Sequence, residues 1–116
     1  MLLFFSYGTL QFDKTQIETF GKLLPGTKDI LKGYKLNNIK VLNPEIINLI
    51  DNNSHPIATL TNNPNDEIIG TVFELTNEEL NKINEIAMKG NSNIKKIEVI
   101  LQSGKKSWTY TTNNLK

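Results

Sequence analysis

The chain has 116 residues, with 13 lysines, no arginine, 12 acidic residues and no cysteine, for a formal charge of +1. That length supports one hydrophobic core, so a single domain over residues 1–116 is expected. The near-neutral charge argues against a nucleic-acid partner. The lack of cysteine excludes disulfides and thiolate metal sites and makes the cytoplasm the natural location.

Leu2 to Tyr7 is an apolar and aromatic run stopped by Gly8. It is far too short for a membrane span and has no basic residue before it, so it reads as a buried strand, with no membrane partner expected. Asp13 and Gln16 have capping-box spacing, and Ile17, Phe20 and Leu24 recur at helical spacing before Pro25-Gly26. A short amphipathic helix is expected there.

Leu36–Val41, Glu45–Ile50 and Ile57–Leu60 read as strands separated by turns such as Asn43-Pro44 and Asn62-Asn63-Pro64. Ile68–Leu75 is a further strand. Thr76 then caps a second helix, with Glu79 closing a capping box. Leu80, Ile83 and Ala87 share one face of that helix, which turns Ala87 inward. Gly90 with Asn91–Asn93 ends it, and Ile94–Leu101 and Lys106–Thr111 form a hairpin across Ser103-Gly104. Two helices among about seven short strands predict an α+β fold on a curled, mixed sheet.

The ordered segments Phe4-Phe5-Ser6-Tyr7-Gly8-Thr9-Leu10, Gly33-Tyr34-Lys35-Leu36, Gly70-Thr71-Val72-Phe73-Glu74-Leu75, Glu79-Leu80 and Trp108-Thr109-Tyr110 resemble the γ-glutamylcyclotransferase and AIG2-like superfamily over nearly the whole chain. The resemblance implies a small mixed β-barrel-like sheet with two short helices and a cavity at one end, rimmed by the loop after the first strand. It also implies release of 5-oxoproline and a free amine from γ-glutamyl amines or peptides. The substrate's own α-amino group attacks its γ-carbonyl, so no nucleophile, metal or cofactor is needed and one carboxylate can shuttle the proton.

In the family pattern that carboxylate is a Glu on the second helix, in a stretch that aligns with Ile83-Asn84-Glu85-Ile86-Ala87. Position 87 is Ala, which cannot carry a proton. Glu85 is no substitute, because two residues along a helix turn a side chain roughly 200° away. Ile94 is a second departure, standing where the family has Tyr.

Tyr7, Gly8, Thr9 and Leu10 have two readings. On one, Gly8 permits a tight turn and Tyr7 packs in the core. On the other, drawn from the resemblance, the loop N–H groups hold a ligand carboxylate. Tyr110 either places a hydroxyl at the cavity or joins an aromatic cross-strand pair, with Trp108 on its sheet face. His55 is the one histidine, in a turn, without a second metal ligand at recognisable spacing. Lys95-Lys96 and Lys105-Lys106 are explained as solvated residues guarding a strand edge.

Three functions follow: a cyclotransferase-like enzyme with a weak or relocated proton shuttle, a non-catalytic module binding a γ-glutamyl or other small carboxylate, and a structural protein whose cavity is filled by Ile86, Met88 or Ile94. The absent carboxylate speaks against full activity.

Overall fold

The computed structural model describes residues 2–40, 54–90 and 94–112. Its elements are β1 (Leu2–Ser6), a 3-10 turn (Thr9–Gln11), α1 (Asp13–Phe20), β2 (Gly26–Lys32), β3 (Tyr34–Lys40), β4 (Ser54–Leu60), β5 (Glu67–Leu75), α2 (Asn77–Gly90), β6 (Ile94–Ile100) and β7 (Lys106–Thr112). The seven strands form one mixed sheet in the order β2-β5-β1-β7-β4-β3, with β6 also paired to β7. The expected α+β class with a curled sheet and two helices is what is observed.

The curl comes from the ends of that path. β2 and β3 lie at opposite ends, yet they are consecutive in the chain and hinge at Gly33. Gly33 has φ 83°, in the left-handed region that favours glycine. Its N–H donates to the Asp66 carbonyl at 2.9 Å, and its own carbonyl accepts from the Thr61 N–H at 2.8 Å. One residue thus ties the β2–β3 corner to both ends of the β4–β5 connection. The path bends round without closing by strand pairing.

One face of the sheet carries Phe5, Val72, Leu31, Ile68, Ala58 and Thr109, all buried. The other face carries Phe4, Phe73, Leu75 and Tyr110 and is met by α2, with Leu80 buried and Ile83 and Ala87 packed against the same core. The expected capping box of α2 is present: the Glu79 N–H donates to Thr76 Oγ1 at 3.1 Å, and the Thr76 N–H donates to Glu79 Oε1 at 2.9 Å. Glu85 is exposed, as its helical position requires.

Several expectations are corrected. The Asp13–Gln16 capping box does not form: Phe12 is the N-cap residue, with no side-chain cap. Ile17 is 53% exposed, and the buried positions of α1 are Gln16 and Thr19. Gln16 is inward because its carboxamide satisfies two backbone groups, donating to the Leu10 carbonyl at 2.9 Å and accepting from the Leu24 N–H at 2.8 Å. Leu24 is buried but lies beyond the helix.

Pro25-Gly26 leads into β2, which the sequence reading missed; β2 pairs with β5 along its full length. β1 ends at Ser6, and β3 and β4 begin earlier than expected, at Tyr34 and Ser54. The expected strand Glu45–Ile50, the Asn43-Pro44 turn and the Asn91–Asn93 break lie outside the described residues, as do the side chains of His55 and Met88. The β6–β7 hairpin turns at Ser103-Gly104 as expected, with Gly104 at φ 92°.

Candidate functional site

β7 shares one edge between two parallel neighbours, meeting β1 at Phe4↔Trp108 and β4 at Ala58↔Thr111. The strands part there, and a side chain fills the gap. Tyr7 sends its hydroxyl into the fork, donating to the Tyr110 carbonyl at 2.7 Å and accepting from the Ala58 N–H at 3.1 Å. Thr109 Oγ1 donates to the Phe5 carbonyl at 2.9 Å and Thr111 Oγ1 to the Ala58 carbonyl at 2.6 Å, which completes the seam. Burial drives the Tyr7 hydroxyl well above the ordinary phenol range, with the Ala58 hydrogen bond opposing it. Tyr7 is therefore a neutral structural tie, and the core-packing reading of its side chain holds.

The loop after Tyr7 is held by its own network. The Gly8 carbonyl accepts from the Gln11 backbone N–H and from Gln11 Nε2, both at 3.3 Å. Thr71 Oγ1 donates to Gln11 Oε1 at 3.0 Å, pinning the 3-10 turn to β5. Gly70 beside it has no room for a side chain, since an added Cβ would lie 2.5 Å from the Ser6 carbonyl oxygen and 2.7 Å from Phe5 Cζ. The Gly-Thr pair thus has two separate duties: close approach of β1 at Gly70, and loop anchoring at Thr71. Gln16 secures the far end of the loop at Leu10.

Tyr110 joins the sheet to α2. Its ring packs against Phe4 with centroids 5.4 Å apart, and its hydroxyl donates to Asn84 Oδ1. Burial, followed by the neighbouring Tyr7, pushes the Tyr110 hydroxyl well up, so it remains a donor at neutral pH. The Phe4–Tyr110 contact, between paired strands β1 and β7, is an aromatic cross-strand pair, and Trp108 makes a separate contact. Lys96 stands opposite Tyr110 in the β6 register, and its ammonium lies 4.7 Å from the Trp108 ring centroid. Ala87 lies three residues beyond Asn84, packed against the core.

The structure therefore joins Tyr7 to Tyr110 directly and Tyr110 to α2 through Asn84. Gly8, Thr9 and Leu10 follow at the carboxyl end of β1. Ile94 is buried in the core, consistent with its apolar character. Gln11, Gln16, Thr71 and Asn84 were missed by sequence reasoning; of these, Thr71 carried a signal, as part of the Gly70-Thr71 segment.

α1 and α2 are clamped by Lys22 Nζ to Glu79 Oε2 at 3.0 Å, and by Lys82, whose ammonium donates to the Thr19 carbonyl and lies over the Phe20 ring. Among the described residues no group of three or more His, Cys, Asp or Glu side chains could hold a metal ion. No described helix is long and apolar enough to cross a membrane.

The family model for gamma-glutamyl cyclotransferase, AIG2-like, matches residues 4–116. The chain belongs to this family. A search of the curated proteins gives no match. Among solved structures, an uncharacterised protein of Pyrococcus horikoshii aligns with TM-score 0.65 and 20% identity, over 99% of this chain and 80% of that one. A protein of Arabidopsis thaliana aligns with TM-score 0.69 and 14% identity, over 97% and 69% of the two chains. A gamma-glutamyl cyclotransferase aligns with TM-score 0.68 and 17% identity, over 99% and 68%. At these identities the likeness establishes the shared fold, and the family model carries the membership.

Proposed function

We propose that this family member holds the α-carboxylate of a γ-glutamyl ligand on the loop formed by Gly8, Thr9 and Leu10, and turns the ligand over slowly, if at all, to 5-oxoproline. In the reaction the ligand's α-amino nitrogen bonds to its own γ-carbonyl carbon and the amine departs, taking up a proton. The atoms balance within the ligand, so the protein's tasks are to bind, to align the amine with the carbonyl, and to move that proton.

The observation that carries the reading is the contrast between the braced loop and the apolar residue at the family's Glu position. The loop is braced by Thr71 and Gln11, the kind of preorganisation an anion site needs. On α2, the position that aligns with the family's Glu carries only the Ala87 methyl, packed against the core. Loss of a positioned general base typically lowers the rate by about 100- to 10,000-fold.

Calorimetric titration with a γ-glutamyl dipeptide tests the binding half, using the chain and a Thr71→Val variant that loosens the loop. Binding that weakens in the variant supports the reading. Absence of binding by the unaltered chain would leave a structural role as the better account.

A further inference from the structure

β2 is an end strand of the sheet, and its outer edge is used at one point. Ile30 lies opposite Ile69 on β5, yet its N–H donates to Asp29 Oδ1 at 2.8 Å and its carbonyl accepts from the Gln102 N–H at 2.8 Å. Both backbone groups of Ile30 therefore face away from β5. Along an antiparallel pair that direction alternates, so the N–H and carbonyl of Lys28, two residues back, face outward as well. Lys28 is exposed, and among the described residues neither group has a backbone partner.

The tip of the β6–β7 hairpin accounts for the single contact. Ser103 donates its hydroxyl to Asp29 Oδ2 at 2.5 Å and its N–H to Asp29 Oδ1 at 3.3 Å, and the chain turns away at Gly104. Lys28 lies beyond the tip. An open cavity of about 330 Å³ occupies this junction, lined by Lys28, Asp29, Ile30, Ile69, Gln102 and Ser103. Lys28 and Ile30 alternate along β2 and Ile69 is the direct partner of Ile30, so all three share one face of the sheet. Ile69 is 65% exposed, a large apolar side chain without cover. The tip already takes both Asp29 oxygens, whereas Lys28 makes no ion pair among the described residues and sets the charge of the rim.

From this we infer that the β2 edge at Lys28 is a docking surface for an extended peptide segment of a partner protein, which adds to the sheet as an antiparallel strand. One N–H and one carbonyl side by side on an edge are the complement of a single residue of an extended chain, which exchanges both bonds. That residue's side chain falls on the cavity face, opposite Lys28 and diagonal to Ile30, where a long aliphatic group covers Ile30 and Ile69. Two positions further along, the segment faces Gly26, which has no side chain, and lies diagonal to Lys28, so an acidic residue suits that place. The pattern recognised is a large aliphatic residue followed two positions later by Asp or Glu. It is independent of the γ-glutamyl reading.

The test is an NMR titration of the isotope-labelled chain with acetyl-Leu-Thr-Glu-Thr-amide and with its charge-reversed counterpart, acetyl-Leu-Thr-Lys-Thr-amide. Saturable shifts should centre on Lys28, Ile30 and Ile69, and hydrogen exchange of the Lys28 amide should slow at saturation. The Glu peptide should bind about three- to fivefold more tightly than the Lys peptide. Lys28→Glu should reverse that preference, and Ile69→Ser should weaken both peptides. Both positions are exposed, and a thermal melt of each variant checks its folding. Shifts without slowed exchange at Lys28, binding centred elsewhere, a preference that folded Lys28→Glu leaves unchanged, or no saturable shift at millimolar peptide each overturns the inference.

Discussion

The Tyr7 hydroxyl donates to the Tyr110 carbonyl at 2.7 Å and takes the Ala58 N–H at 3.1 Å, closing the fork where β1 and β4 part along β7. Tyr7→Phe deletes one oxygen and leaves a buried carbonyl and a buried N–H without partners. A loss of about 1–3 kcal/mol is expected. Chemical denaturation of the two proteins measures it, and an unchanged midpoint and slope would show that the tie is dispensable.

Gly70 is constrained by space. Gly70→Ala would set a methyl 2.5 Å from the Ser6 carbonyl oxygen, and that backbone cannot withdraw without moving β1. Overpacking of this kind costs about 1–3 kcal/mol. Gly33→Ala is limited by its φ of 83° and open surroundings, so the cost there is conformational, about 1–2 kcal/mol. Thermal melts should show both losses, and only the Gly70 variant should also perturb ligand binding, through displacement of Thr71.

Much of the second half of the chain is legible in its sequence because its signals are local. Thr76 and Glu79 announce a capping box within one turn, and Ser103-Gly104 announces its hairpin. The first half depends on distant partners. β2 has few buried positions of its own and becomes a strand by pairing with β5, some forty residues later. Gln16 looks like a capping residue and is buried because Leu10 and Leu24 present backbone groups to it. The inward direction of Ala87 could be read from helical spacing, whereas the Tyr110–Asn84 and Thr71–Gln11 contacts arise only when strands and helix meet.

Two carboxyls give the stability its acid dependence. Glu79 sits below the usual carboxylate range: the Thr76 N–H bond lowers it most, burial opposes, and Lys22 lowers it further. For Asp29, partial burial acts upward, but the Ser103 hydroxyl, the Ile30 and Ser103 N–H groups and Lys105 together hold it below its ordinary value. A folded value below the unfolded one means that the contribution is present above the unfolded pKa, near about 4, and is lost as pH falls through the folded value. Denaturation midpoints should therefore be flat from neutral pH to about 5 and fall below about 4. Glu79→Gln should flatten part of that fall, and an identical acid profile in the variant would contradict the assignment.

The cap itself can be tested apart from its charge. Thr76→Ala removes the acceptor of the Glu79 N–H and should cost about 0.5–2 kcal/mol, whereas Thr76→Ser should retain most of the stability. Chemical denaturation separates the two, and equal losses would show that the hydroxyl is not what matters.

The most direct test of the account is 5-oxoproline release from a γ-glutamyl dipeptide by the unaltered chain and by Ala87→Glu, with a thermal melt confirming that the variant folds. A carboxylate at the inward position of α2 should raise release by about 100-fold or more. Brisk release by the unaltered chain, unchanged or lost in folded Ala87→Glu, would contradict the claim that this site has its ligand-holding loop and lacks its base.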